Sequence, residues 1–229
     1  MTTTNTTLDT APDSGRGSMF TGVMAIVAIV ALIAGMVGIL GSAANAAPQI
    51  GQVAPDFTAQ SSKGDSVRLS QYRGKTVVLE WTNAECPYTR KHYTSGNMQG
   101  FQELAQQNGI VWLTIVSSAP GKQGYVNGPE ADALTVSRHA APTAVLLDPN
   151  GTVGHLYNAK TTPHMFVIDK NGALQYMGGI DSVATAEVDD IAHAEPYLKE
   201  AMLAVAQGEK PPHSLTKPYG CSIKYAGGA

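Results

Sequence analysis

The sequence is poor in cysteine, aromatic residues and charge. It holds two cysteines, two tryptophans and four phenylalanines, and charged residues make up 14% of the chain. Cys86 and Cys221 lie far apart, so there is no closely spaced cysteine pair and no closed set of Cys and His spacings. That removes metal sites built on paired thiolates. Basic residues are not in excess: 15 Lys+Arg against 18 Asp+Glu leave a net charge of −3, which excludes a phosphate-gripping surface and a nucleic-acid partner. No repeat of about 20–50 residues occurs, so a solenoid is excluded. Global disorder is excluded as well, because 43% of the residues are hydrophobic.

Part of that apolar content forms one block near the start. Residues 1–18 are rich in Thr, Asn, Ser and Asp and read as a disordered leader. From Val23 to Leu40 no charged or strongly polar residue occurs, and Ala44-Asn45-Ala46 follows as a small-x-small cleavage site. Residues 1–46 are therefore expected to be a leader plus a signal peptide cut after Ala46, or a membrane anchor over 20–41. Both readings place the remaining chain outside the cytoplasm, as an exported domain over 47–212 with a C-terminal tail over 213–229.

Within that domain the hydrophobic runs alternate with helical segments. Thr76 to Trp81 reads as a buried central strand interrupted only by Glu80, and Ile110 to Val116 and Ala144 to Leu147 read as two more. A helix is expected to begin at Cys86-Pro87, since proline suits a first turn, and to reach Gln107 with a candidate break at Ser95-Gly96. Further helices are expected from Pro129 to near His139, over Val153 to Asn158, and over Ile191 to Gln207. His164 to Asp169 and Ala173 to Met177, joined by Lys170-Asn171-Gly172, predict a hairpin. Strands separated by crossover helices and closed by a hairpin imply an α/β fold, a three-layer sandwich on a mixed central sheet.

The chemistry converges on Cys86. At the start of a helix, free backbone N–H groups and the helix dipole favour an anion, which lowers a thiol's pKa and yields the nucleophilic thiolate. Arg90 and Lys91, on the same helix, are expected to add positive potential. The competing reading is a buried, inert cysteine.

The order of motifs resembles the alkyl hydroperoxide reductase/thiol-specific antioxidant group, the peroxiredoxin-like redoxins of thioredoxin-like fold. The matching features, within residues 50–206, are Ala54-Pro55-Asp56-Phe57, Gly74 to Trp81, Cys86-Pro87, and Thr162-Pro163 before Phe166 to Gly172. The resemblance implies reduction of a peroxide or exchange of a disulfide through a cysteine, an external thiol reductant, and neither metal nor organic cofactor. The chain departs from the family where Leu79 and Asn83 replace the Pro and Thr/Ser that precede a peroxidatic cysteine, and where Thr162-Pro163 replaces its arginine. Thr89 stands where a thioredoxin has its second cysteine, so chemistry within one short motif is ruled out; Cys86-Pro87-Tyr88-Thr89 is similar to a one-cysteine glutaredoxin motif.

The same resemblance implies roles for other residues. Glu80 matches the buried acid that thioredoxins keep near the redox site, where it would take or give the Cys86 proton; the alternative is a surface-facing strand residue. Pro163 matches the cis-proline facing the cysteine, with Thr162 offering its backbone to an incoming sulfur-bearing chain. His164 is expected to be a plain exposed histidine. Cys221, on a Gly- and Pro-containing tail free to swing, is a candidate resolving thiol, half of a static disulfide, or a free distal thiol. Two other functions compete with a thiol oxidoreductase: a redox-inactive binding module with structural cysteines, and metal delivery by Cys86 with His92 or His164.

Overall fold

The structure, a computed structural model, describes residues 47–227. The leader, the candidate cleavage site and the candidate anchor over 20–41 lie outside the described residues. Among the described residues no helix is long and apolar enough to cross a membrane.

Seven strands form one sheet. They are β1 (Thr58–Ser61), β2 (Ser66–Arg68), β3 (Val77–Trp81), β4 (Val111–Val116), β5 (Ala144–Leu147), β7 (His164–Ile168) and β8 (Leu174–Gly178), in the spatial order β2-β1-β5-β4-β3-β7-β8. β3, β4 and β5 run parallel, whereas β7 and β8 on one side and β1 and β2 on the other are antiparallel to their neighbours. The short β6 (Thr161–Thr162) pairs separately with β9 (Cys221–Ser222). The helices are α1 (Pro87–Thr94), α2 (Asn97–Gln107), α3 (Gly128–Ser137), α4 (Thr152–Leu156) and α5 (Tyr197–Gln207).

β3 is buried along its whole length, so its two-residue alternation distributes side chains to two cores rather than to core and solvent. Val77, Leu79 and Trp81 join Phe57, Leu69, Tyr157 and Phe166 on one face. Val78 joins Tyr93, Met98, Phe101, Trp112, Leu198 and Met202 on the other, beneath α1, α2 and α5. The sheet is thus the middle of three layers, the thioredoxin-like architecture the motif order implied.

One boundary differs from expectation and another agrees with it. The segment from Ile191 to Gln207 is not one helix: a 3-10 turn covers Asp189–His193 and α5 begins only at Tyr197, after Pro196. Proline restricts the residue before it to extended backbone, so the helical pattern cannot run through Glu195-Pro196. The break near Ser95-Gly96 is real, and Gly96, at φ 78°, supplies the left-handed turn between α1 and α2.

The tail does not swing free. Leu215 bridges Met177 on β8, β9 pairs with β6, the Ile223 N–H donates to the Lys160 carbonyl at 3.1 Å, and the Tyr225 hydroxyl donates to the Ala159 carbonyl at 2.8 Å. Its backbone groups find strand partners that composition alone did not reveal.

Candidate active site

Cys86 is the N-cap of α1, with Pro87 at the first helical position, directly after the loop leaving β3. It is fully buried. Its thiol donates to the Thr162 carbonyl at 3.1 Å, and the Thr162-Pro163 peptide is cis. The antiparallel β6–β9 pair sets Cys221 opposite Thr162 and Ser222 opposite Thr161. The two cysteines that lie far apart in sequence therefore meet, both as free thiols.

Their electrostatics are unequal. Burial pushes the Cys86 thiol up, but hydrogen bonds from the Cys221 thiol, the Thr89 N–H, the Thr162 side chain and the Cys221 backbone more than offset it, and the net shift is downward. Cys221 moves the other way, raised by burial and by its hydrogen bond to, and the charge of, Cys86. One negative charge shared by this pair rests on Cys86, with Cys221 as its proton-bearing neighbour.

The positive charges expected on α1 act elsewhere. Arg90 is exposed, and its charge is felt at Cys221, where with Lys224 it opposes the upward shift. Lys91 is buried and turned away: its Nζ donates to the carbonyls of Val183 and Thr185, at 3.2 Å each, and lies 3.9 Å from Asp181 Oδ2. Backbone, thiol and Thr162 side-chain hydrogen bonds, rather than side-chain cations, lower Cys86.

Glu80 is buried on the inner face of β3, not at the surface. Its Oε1 accepts from the Tyr93 hydroxyl at 2.9 Å, and its Oε2 accepts from Trp112 Nε1 and Thr114 Oγ1 at 2.9 Å each. These partners tie α1 to β4. Burial, and then the Glu80 charge, hold the Tyr93 phenol protonated as a donor. Cys86 is not among the hydrogen-bond partners of Glu80 in the described residues.

His164 is buried rather than exposed. It opens β7 opposite Trp81, its ring lies 4.5 Å from that of Phe166, and its Nδ1 accepts from the Lys160 N–H at 3.3 Å. A strand flanked on both sides and covered on both faces leaves no outward position for it. His92 is likewise buried: Nδ1 accepts from the Asn97 amide at 2.8 Å, and Nε2 lies 3.3 Å from the Tyr219 hydroxyl. With both ring nitrogens engaged, His92 has no free lone pair for a metal. Among the described residues no group of three or more His, Cys, Asp or Glu is arranged to hold one.

These two histidines predict acid sensitivity. Burial, and then the charges of Lys91 and Lys160 respectively, push His92 and His164 down to about 3. Asp181 Oδ2 lies 3.7 Å from His92 Nε2 and 3.9 Å from Lys91 Nζ. An unfolded histidine titrates near ~6.5. Below that pH the unfolded chain takes up protons that the folded one refuses, so stability is insensitive to these groups above about pH 6.5 and falls from there toward about pH 3. The expected slope approaches about 1.4 kcal/mol per pH unit for each histidine. Urea unfolding at several pH values checks it, and His164→Gln should remove one proton's share of the slope.

The sequence reading missed the Thr89 N–H, whose role follows from its place in the first turn, and the burial of Lys91 and His92 together with Asp181 and Tyr219. Their one visible signal was Tyr219, two positions before Cys221.

The fold and site have relatives. The family model described as AhpC/TSA matches residues 50–177, a span that holds Cys86 and Pro163 but stops short of the tail bearing Cys221. The thiol-disulfide oxidoreductase ResA of Geobacillus kaustophilus is 29% identical over 133 residues, covering 55% of this chain and 67% of its own. Among solved structures, a hypothetical protein from Sinorhizobium meliloti superposes with a TM-score of 0.67 at 20% identity, over 80% of this chain and 98% of its own. Peroxidoxin BcpB from Mycobacterium tuberculosis superposes with a TM-score of 0.50 at 18% identity, over 70% of this chain and 97% of its own. A buried cysteine at the head of α1, a cis-proline facing it and a family match across more than half of the sequence agree: the chain belongs to the AhpC/TSA family of thioredoxin-like thiol oxidoreductases.

Proposed function

We propose that this protein is an exported thiol-dependent oxidoreductase with peroxiredoxin-like antioxidant activity, in which Cys86 is the nucleophile and Cys221 the resolving thiol. The observation that carries this reading is the pairing of Cys221 with Thr162, which brings its thiol to the more acidic thiol of Cys86. The Cys86 thiolate attacks a peroxide oxygen, the O–O bond breaks, an alcohol or water leaves, and Cys86 becomes a sulfenic acid. The Cys221 sulfur then displaces that hydroxyl, forming the Cys86–Cys221 disulfide and releasing water. An external dithiol returns two electrons and two protons to restore both thiols.

Access favours a small oxidant. Cys86 is fully buried, and β9 already occupies the Thr161–Thr162 edge to which an extended protein substrate would add. Thr162 and Pro163 then act as the substrate-facing backbone beside Cys86, and Arg90 as an exposed cation on the helix that Cys86 caps. Glu80 serves this reading by holding α1 against β4. Export rests on the apolar block and the Ala44-Asn45-Ala46 site.

A second reading, exchange with a protein disulfide once the tail has lifted, is favoured by Asn83. Its Oδ1 accepts the Glu85 N–H at 2.8 Å and its amide fills the space beside Gly124, in the place where a peroxidatic site carries a Thr or Ser hydroxyl.

One stoichiometric oxidation tests both. Equimolar hydrogen peroxide added to reduced protein is expected to consume both thiols and give a Cys86–Cys221 disulfide by peptide mapping; Cys221→Ser should instead leave a sulfenic acid on Cys86 that dimedone traps. Reaction with a disulfide but not with peroxide would select the exchange reading. Reaction with neither would mean a binding module with structural cysteines.

A further inference from the structure

A buried polar cluster that the thiol chemistry does not use stands directly behind Cys221. The Tyr219 hydroxyl donates to Asp181 Oδ1, and Lys91 lies 3.9 Å from the other oxygen of that carboxylate. Because His92 Nδ1 accepts from the Asn97 amide, its remaining ring proton sits on Nε2 and points at the Tyr219 oxygen 3.3 Å away. The chain of donors therefore runs from Asn97 through His92 and Tyr219 to Asp181. Beyond the half-buried Asn97 the chain is sealed from water: Lys91, His92 and Asp181 are 2%, 0% and 5% exposed, and Tyr219 is 9% exposed.

Two features connect this cluster to the thiols. Lys91 and His92 belong to α1, the helix whose N-cap is Cys86. Tyr219 is separated from Cys221 only by Gly220, which has a φ of 124° and passes so close to β6 that a Cβ would lie 2.1 Å from the Thr162 carbonyl oxygen. With no slack at Gly220, the placement of the Tyr219 ring sets the placement of the Cys221 sulfur.

We propose that Tyr219 is a positioning residue for the thiol pair: its hydroxyl, held between Asp181 and His92, fixes the register of β9 on β6 and so holds Cys221 against Cys86. Packing alone does not account for its place. The ring contacts, an edge approach to Tyr88 at 6.0 Å and Lys91 5.9 Å from the ring centre, would survive loss of the hydroxyl, but the two polar bonds would not. The inference rests on the proposed resolving role of Cys221 and adds the device that makes it effective.

The test is the equilibrium between the Cys86–Cys221 disulfide and a glutathione redox buffer, measured on the whole protein below the onset of thermal unfolding. Tyr219→Phe keeps the ring and is expected to lower the effective concentration of Cys221 toward Cys86 at least tenfold, making the couple more easily reduced by about 30 mV. His92→Gln, which removes the His92 bond but leaves the Asp181 bond, should shift the equilibrium in the same direction by less and serves if the first variant fails to fold. Gly220→Ala should weaken the disulfide by a separate route. A Tyr219→Phe couple within twofold of the wild type, while Gly220→Ala shifts, would overturn the positioning role and leave the thiol pair standing. A wild-type protein that forms no Cys86–Cys221 disulfide at any buffer ratio would instead overturn the resolving role itself.

Discussion

Cys86→Ser is expected to bring peroxide-dependent turnover, followed with a dithiol reductant, to the uncatalysed background, a loss of roughly a thousandfold or more. The nucleophile must be an anion near neutral pH. A thiol whose pKa is held below its ordinary value forms that anion more readily, whereas a serine hydroxyl in the same hydrogen bonds does not. The oxygen can still donate to the Thr162 carbonyl, so the change in thermal midpoint should be small and the loss chemical rather than structural. Cys221→Ser separates the steps: the first oxidation of Cys86 should persist while repeated turnover fails. Wild-type turnover in Cys86→Ser would mean that the chemistry resides elsewhere in the chain.

The fold was readable because its central strands are continuous apolar runs between strong turn signals. Lys170-Asn171-Gly172 placed the hairpin, Pro87 placed the start of α1, and Ser95-Gly96 marked its end. Pro163 was readable as the residue facing Cys86 through family resemblance. The misses have a common physical origin. His164, Lys91, His92 and Asp181 are polar residues that burial has taken from water, and nothing local distinguishes such a residue from a solvated one until its partners, up to 127 positions away, are known. The tail was misread for the same reason. Its β9 is two residues long, too short for an alternating pattern, and its register comes from tertiary bonds to Asp181, Thr162 and Lys160.

Glu80 is where stability and site geometry meet most strongly. Replacement by leucine would leave Trp112 Nε1, Thr114 Oγ1 and the Tyr93 hydroxyl facing an apolar side chain inside a sealed core. A buried donor without an acceptor costs about 1–3 kcal/mol, so three of them, partly relieved by rotation of the two hydroxyls, should destabilise the domain by roughly 3–5 kcal/mol. Against a total stability of about 5–15 kcal/mol that is severe. Glu80→Gln behaves differently. Its carbonyl oxygen can still accept from Trp112 and Thr114, and its amide can donate to a reoriented Tyr93 hydroxyl, so a loss of about 1–2 kcal/mol is expected. Urea unfolding of the reduced proteins measures both. The same pair of variants separates a clasp from a proton carrier. If Glu80 acts only by holding α1 to β4, Glu80→Gln should leave the pH dependence of Cys86 alkylation nearly unchanged. If it takes the Cys86 proton, the alkylation profile should move even though the fold survives.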